Sequence, residues 1–214
     1  GPRGQTGATG PCCTGATGPG GSTGPDGATG PDGQAGTSAA IIPFASGAPV
    51  VLSDIFDVAR IGAVIGFGNS APSPDLLGGT IDITGTGNPT QVLDMAWCMP
   101  SSGTLVQLSA MYSNVVAVNL PPGIKATVFV QLYRGEVGGN QFDPIGPTVT
   151  LLPSFTGLLT LGQIASRSVP LGNIAVANED RLLLVALVEL EGETTAQLPV
   201  LTGYISAGLK LILD

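Results

Sequence analysis

GPRGQTGATG (residues 1–10) and GATGPGGSTGPDGATGPDGQAG (residues 15–36) place a glycine at every third position. Gly1, Gly4, Gly7 and Gly10 form one run; Gly15, Gly18, Gly21, Gly24, Gly27, Gly30, Gly33 and Gly36 form the other. In a collagen-like triple helix each chain passes the crowded axis once per three residues, where only a hydrogen side chain fits. A flexible Gly/Ser linker has no strict period. The spacing therefore predicts a triple-helical stalk over residues 1–38, and a chain that works as one third of a homotrimer. With a rise of roughly 3 Å per residue the stalk would be about 110 Å long.

Every proline of this block (Pro2, Pro11, Pro19, Pro25, Pro31) follows a period-setting glycine, so it fills the second position of its triplet. The third position, where animal collagens carry hydroxyproline, holds Thr6, Thr9, Thr17, Thr23 and Thr29 instead. A repeat built without hydroxyproline points to a bacterial or viral maker. Threonines there project outward, and two readings stand: acceptors for O-linked sugars, or residues that merely tolerate an extended backbone. Between the runs, Gly10-Pro11-Cys12-Cys13-Thr14-Gly15 slips the register and predicts a local break. Adjacent cysteines pair poorly with each other, whereas three chains offer six thiols, enough for interchain disulfides at Cys12 and Cys13. Some fibrillar collagens tie their chains in a similar way. Idle thiols or a metal clip are the alternatives. The repeat is already under way at residue 1, and a longer collagenous region upstream is the expectation.

Beyond residue 38 the glycine period stops. Residues 39–214 suffice for one compact domain with a sizeable core. The chain is 10% charged, with mean hydropathy +0.40. No transmembrane span is expected, because prolines (Pro100, Pro121, Pro122, Pro147, Pro153), glycines and hydroxyl residues interrupt every long uncharged stretch. The excess apolar surface fits burial between subunits. The formal net charge is −8 with cations scattered singly, which argues against nucleic acid as a partner. Glu189, Glu191 and Glu193 alternate at strand spacing and read as one solvated face.

Strand signals recur through this region, separated by turn chemistry. Val106, Leu108, Ala110 and Tyr112 alternate with Gln107, Ser109 and Met111. Ile124, Ala126, Val128, Val130 and Leu132 alternate with Lys125, Thr127, Phe129, Gln131 and Tyr133. RLLLVALVEL (181–190) is nearly continuous, as expected of a strand covered on both faces. Further strands are read at 60–67, 79–84, 91–98, 147–152, 158–165, 174–177 and 200–213, with turns at 68–75, 85–89, 119–123, 138–147 and 170–173. About ten strands predict an all-β sandwich or barrel. The stalk is short, broken once and lacks hydroxyproline, so the domain is expected to trimerise and to supply its nucleation and register.

No histidine occurs in the chain, which removes Ser-His-Asp and Cys-His catalysis and histidine-based metal sites. Cys98, between Trp97 and Met99, reads as a small buried hydrophobe. The acid pairs Asp54/Asp57 and Glu179/Asp180 fall in predicted turns and read as solvated or capping groups rather than a glycosidase pair. Gly62, Gly66 and Gly68 lack the lysine and helix of a phosphate loop. No enzymatic activity, cofactor or metal site is expected.

AAIIPFASG (39–47), LGGTIDITG (77–85), AWCMPSSGTL (96–105), VQLYRG (130–135), FDPIGPTVTLLPSFTGLLTLG (142–162), RLLLVALVEL (181–190) and GYISAGLKL (203–211) occur in that order. On these motifs residues 39–214 resemble the C-terminal domain of collagen-like exosporium glycoproteins of spore-forming bacilli, the BclA/BclB group, and are most similar to the BclB type. The resemblance implies a C1q/tumour-necrosis-factor-like jelly roll, trimeric, at the outer tip of filaments on the spore surface. It implies a structural role, with other spore-surface or basal-layer proteins engaged through an N-terminal region. C1q-like heads bind ligands, so a host receptor or glycan at loops 68–75, 85–89 and 138–147 is the alternative, as is a viral collagen-like fibre. A calcium ion at Asn178-Glu179-Asp180 is weighed against a plain polar turn, and the turn is preferred.

Overall fold

The computed structural model describes residues 1–10, 15, 17–22, 24–25, 38–55, 59–73, 79–82, 95–192 and 199–213. Two compact units divide the chain, Gly1–Ala35 and Gly36–Asp214. The described residues of the first unit are exposed and form no regular secondary structure within the single chain.

The second unit is all-β; among the described residues it contains no helix. The first strands are β1 (Ala39–Ala45), β2 (Val50–Ile55), β3 (Ala59–Ile61), β4 (Ala63–Ile65) and β5 (Ser70–Pro72). Then come β6 (Ile81–Asp82), β7 (Trp97–Cys98), β8 (Gly103–Asn114), β9 (Val118–Asn119) and β10 (Lys125–Gly135). The remainder are β11 (Gln141–Thr150), β12 (Phe155–Thr156), β13 (Leu158–Leu159), β14 (Ile164–Val176), β15 (Arg181–Glu191) and β16 (Leu201–Leu213). A six-stranded sheet has the order β14-β8-β16-β2-β3, with β1 also on β16. An eight-stranded sheet has the order β5-β4-β15-β10-β11-β6, with β12 on β10 and β7 on β15. From β8 onward the long strands cross between the sheets: β8 in the first, β10 and β11 in the second, β14 back, β15 across, β16 back. This is a jelly-roll sandwich.

Burial follows the sequence periods. Strand β15 is buried almost throughout, and β10 is covered on both faces as well. Ile124, Ala126, Val128, Val130 and Leu132 join the core between the sheets, with Leu182, Leu184, Ala186 and Val188. Phe129 and Tyr133, with Leu183, Val185 and Leu187, lie in a second cluster on the outer side of the eight-stranded sheet, closed by Val64, Ala71, Ile81, Met95 and Phe142. In β8 the alternation holds from Leu108 to Tyr112 but breaks at Val106, which is half-buried while Leu105 is buried. Opposite it the register of β16 shifts between Lys210 and Leu211, so Val106 is the extra residue of a β-bulge. That is why a strict two-residue count assigns it to the core.

Two expected turns are strand. Of 138–147 only the first three residues precede β11, which carries Pro144, Gly146 and Pro147 within its length. Proline is tolerated because the β10–β11 register shifts there, between Val130 and Leu132. The buried Gln131 side chain fills the gap: its amide donates to the Ile145 carbonyl (2.8 Å) and its carbonyl accepts from Thr148 Oγ1 (2.6 Å). Likewise 170–173 lies inside β14, where Pro170 pairs with Gln107 and Ile174 with Leu105. Gly172 and Asn173, at φ 73° and 61°, supply the left-handed turn of that irregularity.

Candidate functional site: an uncovered sheet face

Among the described residues, the outer face of the six-stranded sheet carries a row of exposed side chains and is left bare. The register arranges it in rows across β14, β8, β16 and β1. Ile164, Ser113 and Tyr204 form one row; Ser166, Met111, Ser206 and Ala45 the next; Ser168, Ser109, Gly208 and Pro43 a third; Pro170, Gln107, Lys210 and Ile41 a fourth. Lys210 is the one charged residue in these rows. Ile41 is 73% exposed, Ile164 49%, Tyr204 45% and Met111 38%. Between these large side chains runs a shallow groove of about 300 Å³, lined by Ser109, Ser206 and Gly208 beside Met111, with Ala110 and Ala207 of the same strands. Ser168 holds the floor flat, accepting from Gln107 Nε2 (2.8 Å) and sharing a hydrogen bond with Ser109 Oγ (2.7 Å). The combination of apolar knobs, small floor residues and almost no charge suits a protein surface as partner rather than a small solute. Alternation alone assigns this phase of β8 and β16 to solvent. The signal that could have found it is Met111 and Tyr204 standing among its serines and glycine.

The other predicted sites lie elsewhere and apart. Cys98 is exposed, not buried. Strand β7 contributes only two residues to β15, opposite Arg181 and Leu182; Trp97 turns toward the core and Cys98 therefore turns out, its thiol 3.9 Å from the Glu179 carbonyl. Asp54 is not in a turn but in β2, where Val50, Leu52 and Asp54 face inward together, and it is 2% exposed. Its Oδ2 accepts from the backbone N–H of Leu190 at 2.9 Å, linking the two sheets. Asp180 caps its turn, Oδ2 accepting from the Ala177 N–H at 2.8 Å. It borders an open cleft of about 540 Å³ with Ser102, Arg134, Glu136 and Val137. Arg134 Nη1 donates there to the Ala175 carbonyl, and Arg181 stacks on Phe142 at 5.0 Å. Among the described residues no group of three or more His, Cys, Asp or Glu side chains could hold a metal ion. No described helix is long and apolar enough to cross a membrane. Burial pushes the Tyr112 and Tyr133 phenols above their ordinary range.

In the first unit, Thr6, Thr9 and Thr17 are exposed. A Cβ added at Gly1, Gly4, Gly7, Gly10, Gly15, Gly18, Gly21 or Gly24 would meet nothing of this chain within 4 Å. Cys12, Cys13, Thr23, Thr29, Gly27, Gly30, Gly33, Gly36, Asp57, Glu193 and the loop 85–89 lie outside the described residues.

No family model matches the chain. In an alignment 186 positions long that covers 81% of its length, it is 33% identical to collagen-like protein 1 of Acanthamoeba polyphaga mimivirus. It spans 19%, about a fifth, of that curated relative. Among solved structures it is similar to Eiger TNF from S. frugiperda, at 12% identity and TM-score 0.36, covering 81% of this chain and 93% of that one. It is also similar to a chain of infectious bursal disease virus, Gx strain, at 12% identity and TM-score 0.35, covering 83% of this chain and 32% of that one.

Strand β1, the first after the glycine repeat, pairs with β16 along its whole length, Ala39 opposite Ile212 through Ala45 opposite Ser206. The strand that follows the repeat is thus built into the uncovered sheet.

Proposed function

We propose that the chain is one third of a structural fibre protein. Residues 39–214 form a homotrimeric head through the bare face of the six-stranded sheet, and the head nucleates and registers a collagen-like stalk at residues 1–38. The observation that carries this reading is the uncovered face itself, with β1 within it. Side chains brought together there align the three strands that lead into the repeat, and alignment is what a marginal triple helix lacks. The protein is structural rather than catalytic, extracellular and surface-displayed. Cys12 and Cys13 tie the chains by interchain disulfides, and Thr6, Thr9, Thr17, Thr23 and Thr29 carry O-linked sugars. The setting is the outer surface of a bacterial spore. A viral fibre is the second reading, favoured by the identity with the mimivirus protein.

Sedimentation equilibrium of the full chain tests the assembly. Three times the chain mass of 21.3 kDa is expected, falling to one with Met111→Glu plus Tyr204→Glu. A wild-type monomer would overturn the reading. Immunogold labelling of spores against virions separates the two settings.

A further inference from the structure

The two poles of the sandwich differ in charge. At one, where Ser38 leads into β1 and its carbonyl accepts from the N–H of Leu213, lie Arg134, Glu136, Asp143, Glu179 and Arg181. The other pole is a strand length away along β8, roughly 35–40 Å. There the segments 111–124, 151–166 and 199–209 contain no charged residue at all. Val116, Leu158, Leu161 and Val200 nevertheless stand in solvent, Leu158 61% and Leu161 69% exposed.

These side chains are held on a fixed platform. Asn114, 1% exposed, is its hub. Its Nδ2 donates to the carbonyls of Val116 (2.8 Å) and Thr160 (3.0 Å), and its Oδ1 accepts from Tyr112 Oη (3.0 Å). Its backbone N–H donates to Gln163 and its carbonyl accepts from Gly162. Val115 donates to the Thr202 carbonyl and Leu120 to that of Gly157, while β13 pairs with β9. Three segments of the chain are thus fastened together beneath four exposed apolar residues. Of the charged residues that flank these segments, Lys125 is closed on Glu191 at 2.6 Å.

We propose that this distal tip is an interface between copies of the chain, joining two heads tip to tip. The charge distribution selects the occupant. A chain of net charge −8 repels its own copies, and the repulsion is weakest where the described surface is uncharged. An uncharged apolar patch is complementary to itself, as a two-fold contact requires. The absence of lysine and arginine from the tip segments removes the usual attraction to an anionic membrane. The fixed platform lowers the ordering entropy lost on contact. Pairing at the tip leaves the sheet face and the N-terminal pole free, so it couples one fibre end to another and does not depend on the trimer.

The test is sedimentation equilibrium of the full chain from micromolar to millimolar concentration, with Leu158→Asp plus Leu161→Asp as the variant. Both side chains are solvent-exposed, and an unchanged thermal melt confirms that the variant folds. The expected result is a doubling of the base mass with rising concentration, not weakened by added salt, which screens the net charge, and absent in the variant. Trimer-to-hexamer doubling supports both readings; monomer-to-dimer doubling supports the tip and overturns the trimer. No doubling, or doubling that persists in the variant, overturns the tip interface. Leu161-dependent flotation with phosphatidylcholine vesicles, without doubling, assigns the tip to lipid and also overturns it.

Discussion

Two strand pairs form the centres of the two sheets, and their outer faces meet different fates. Under β10–β15 the outer face is apolar and closed over: Phe129, Tyr133, Leu183, Val185 and Leu187 pack beneath Ile81, Met95 and Phe142. Under β8–β16 the outer face is left open, and its composition changes accordingly to serine, glycine and alanine punctuated by Met111, Tyr204 and Ile41. A face covered by its own chain can be uniformly apolar, because it never meets water. A face that must survive exposure before meeting a partner needs a thinner distribution of apolar groups. The same logic separates Gly203 from Gly208 on β16, five residues apart on opposite faces of one strand.

The largest effect that would break this contrast is on the covered face. Leu183→Ala removes a fully buried side chain and should cost about 2–5 kcal/mol of unfolding free energy, read from the denaturant midpoint. Met111→Ala, on the open face, should change the unfolding of the head by no more than about 0.5 kcal/mol when both are measured at a concentration where the head is monomeric. Equal costs at the two positions would mean that the open face is part of the head's own core, and the distinction between the sheets would fall.

Next in size is the glycine pair. A Cβ at Gly203 would run into the Ser113 carbonyl and the Tyr112 ring, so Gly203→Ala should destabilise by about 1–3 kcal/mol through overpacking. At Gly208 the nearest atom is Ile41 Cγ2 at 4.0 Å. Gly208→Ala should leave the melting temperature of the monomeric head, measured at low concentration, unchanged or slightly raised, since alanine restricts the unfolded chain. It should weaken the trimer, because the methyl group stands in the groove. A trimer indifferent to Gly208→Ala moves the association surface elsewhere.

These contrasts also show what the sequence reveals. The run 181–190 reads directly, because burial on two faces leaves a continuous apolar trace, whereas the alternation at 124–133 locates strand β10 but hides that its second face, with Phe129 and Tyr133, is buried too. The cover over the outer face of β10–β15 leaves none, since it comes from residues as distant as Ile81, Met95 and Phe142. Local turn chemistry misleads where it serves a bulge: Pro170-Leu171-Gly172-Asn173 and Pro144-Ile145-Gly146-Pro147 look like loops but bend continuous strands. Cys98 and Asp54 change sides for related reasons. A two-residue strand sends one residue out whatever its polarity, and strand parity sends an acid inward when a backbone N–H waits for it. The bare face is half legible, in Met111 and Tyr204 lying in a polar phase. The distal tip depends on Asn114 joining residues 46 positions apart, which no local period encodes.

A smaller effect sharpens the comparison through pH. Tyr112 lies on the inner face of β8 and Tyr133 on the covered face of β10, and burial raises both phenols. Above the unfolded tyrosine value of about 10 the unfolded chain releases phenolic protons that the folded chain retains. The unfolded state then binds fewer protons, so stability must fall as pH rises further. The denaturant midpoint should decline above that pH, and Tyr112→Phe with Tyr133→Phe should flatten the decline. An unchanged slope would show that the two phenols ionise without penalty, and that neither face is closed.

The smallest effect on the head, and the sharpest on the whole molecule, belongs to Gly24. Unlike Gly203, which its own chain hems in, Gly24 has nothing within 4 Å of an added Cβ. In a single chain Gly24→Ala would therefore be free of steric cost. In a triple helix the same methyl group would meet two other chains at the axis. The variant should keep the head's thermal transition and its trimer mass, while lowering the temperature at which the stalk loses its triple-helical circular dichroism and its resistance to pepsin. A stalk signal unaffected by Gly24→Ala would leave the glycine period without a physical cause. A head that fell apart with it would reverse the dependence proposed here, with the stalk holding the head together rather than the head aligning the stalk.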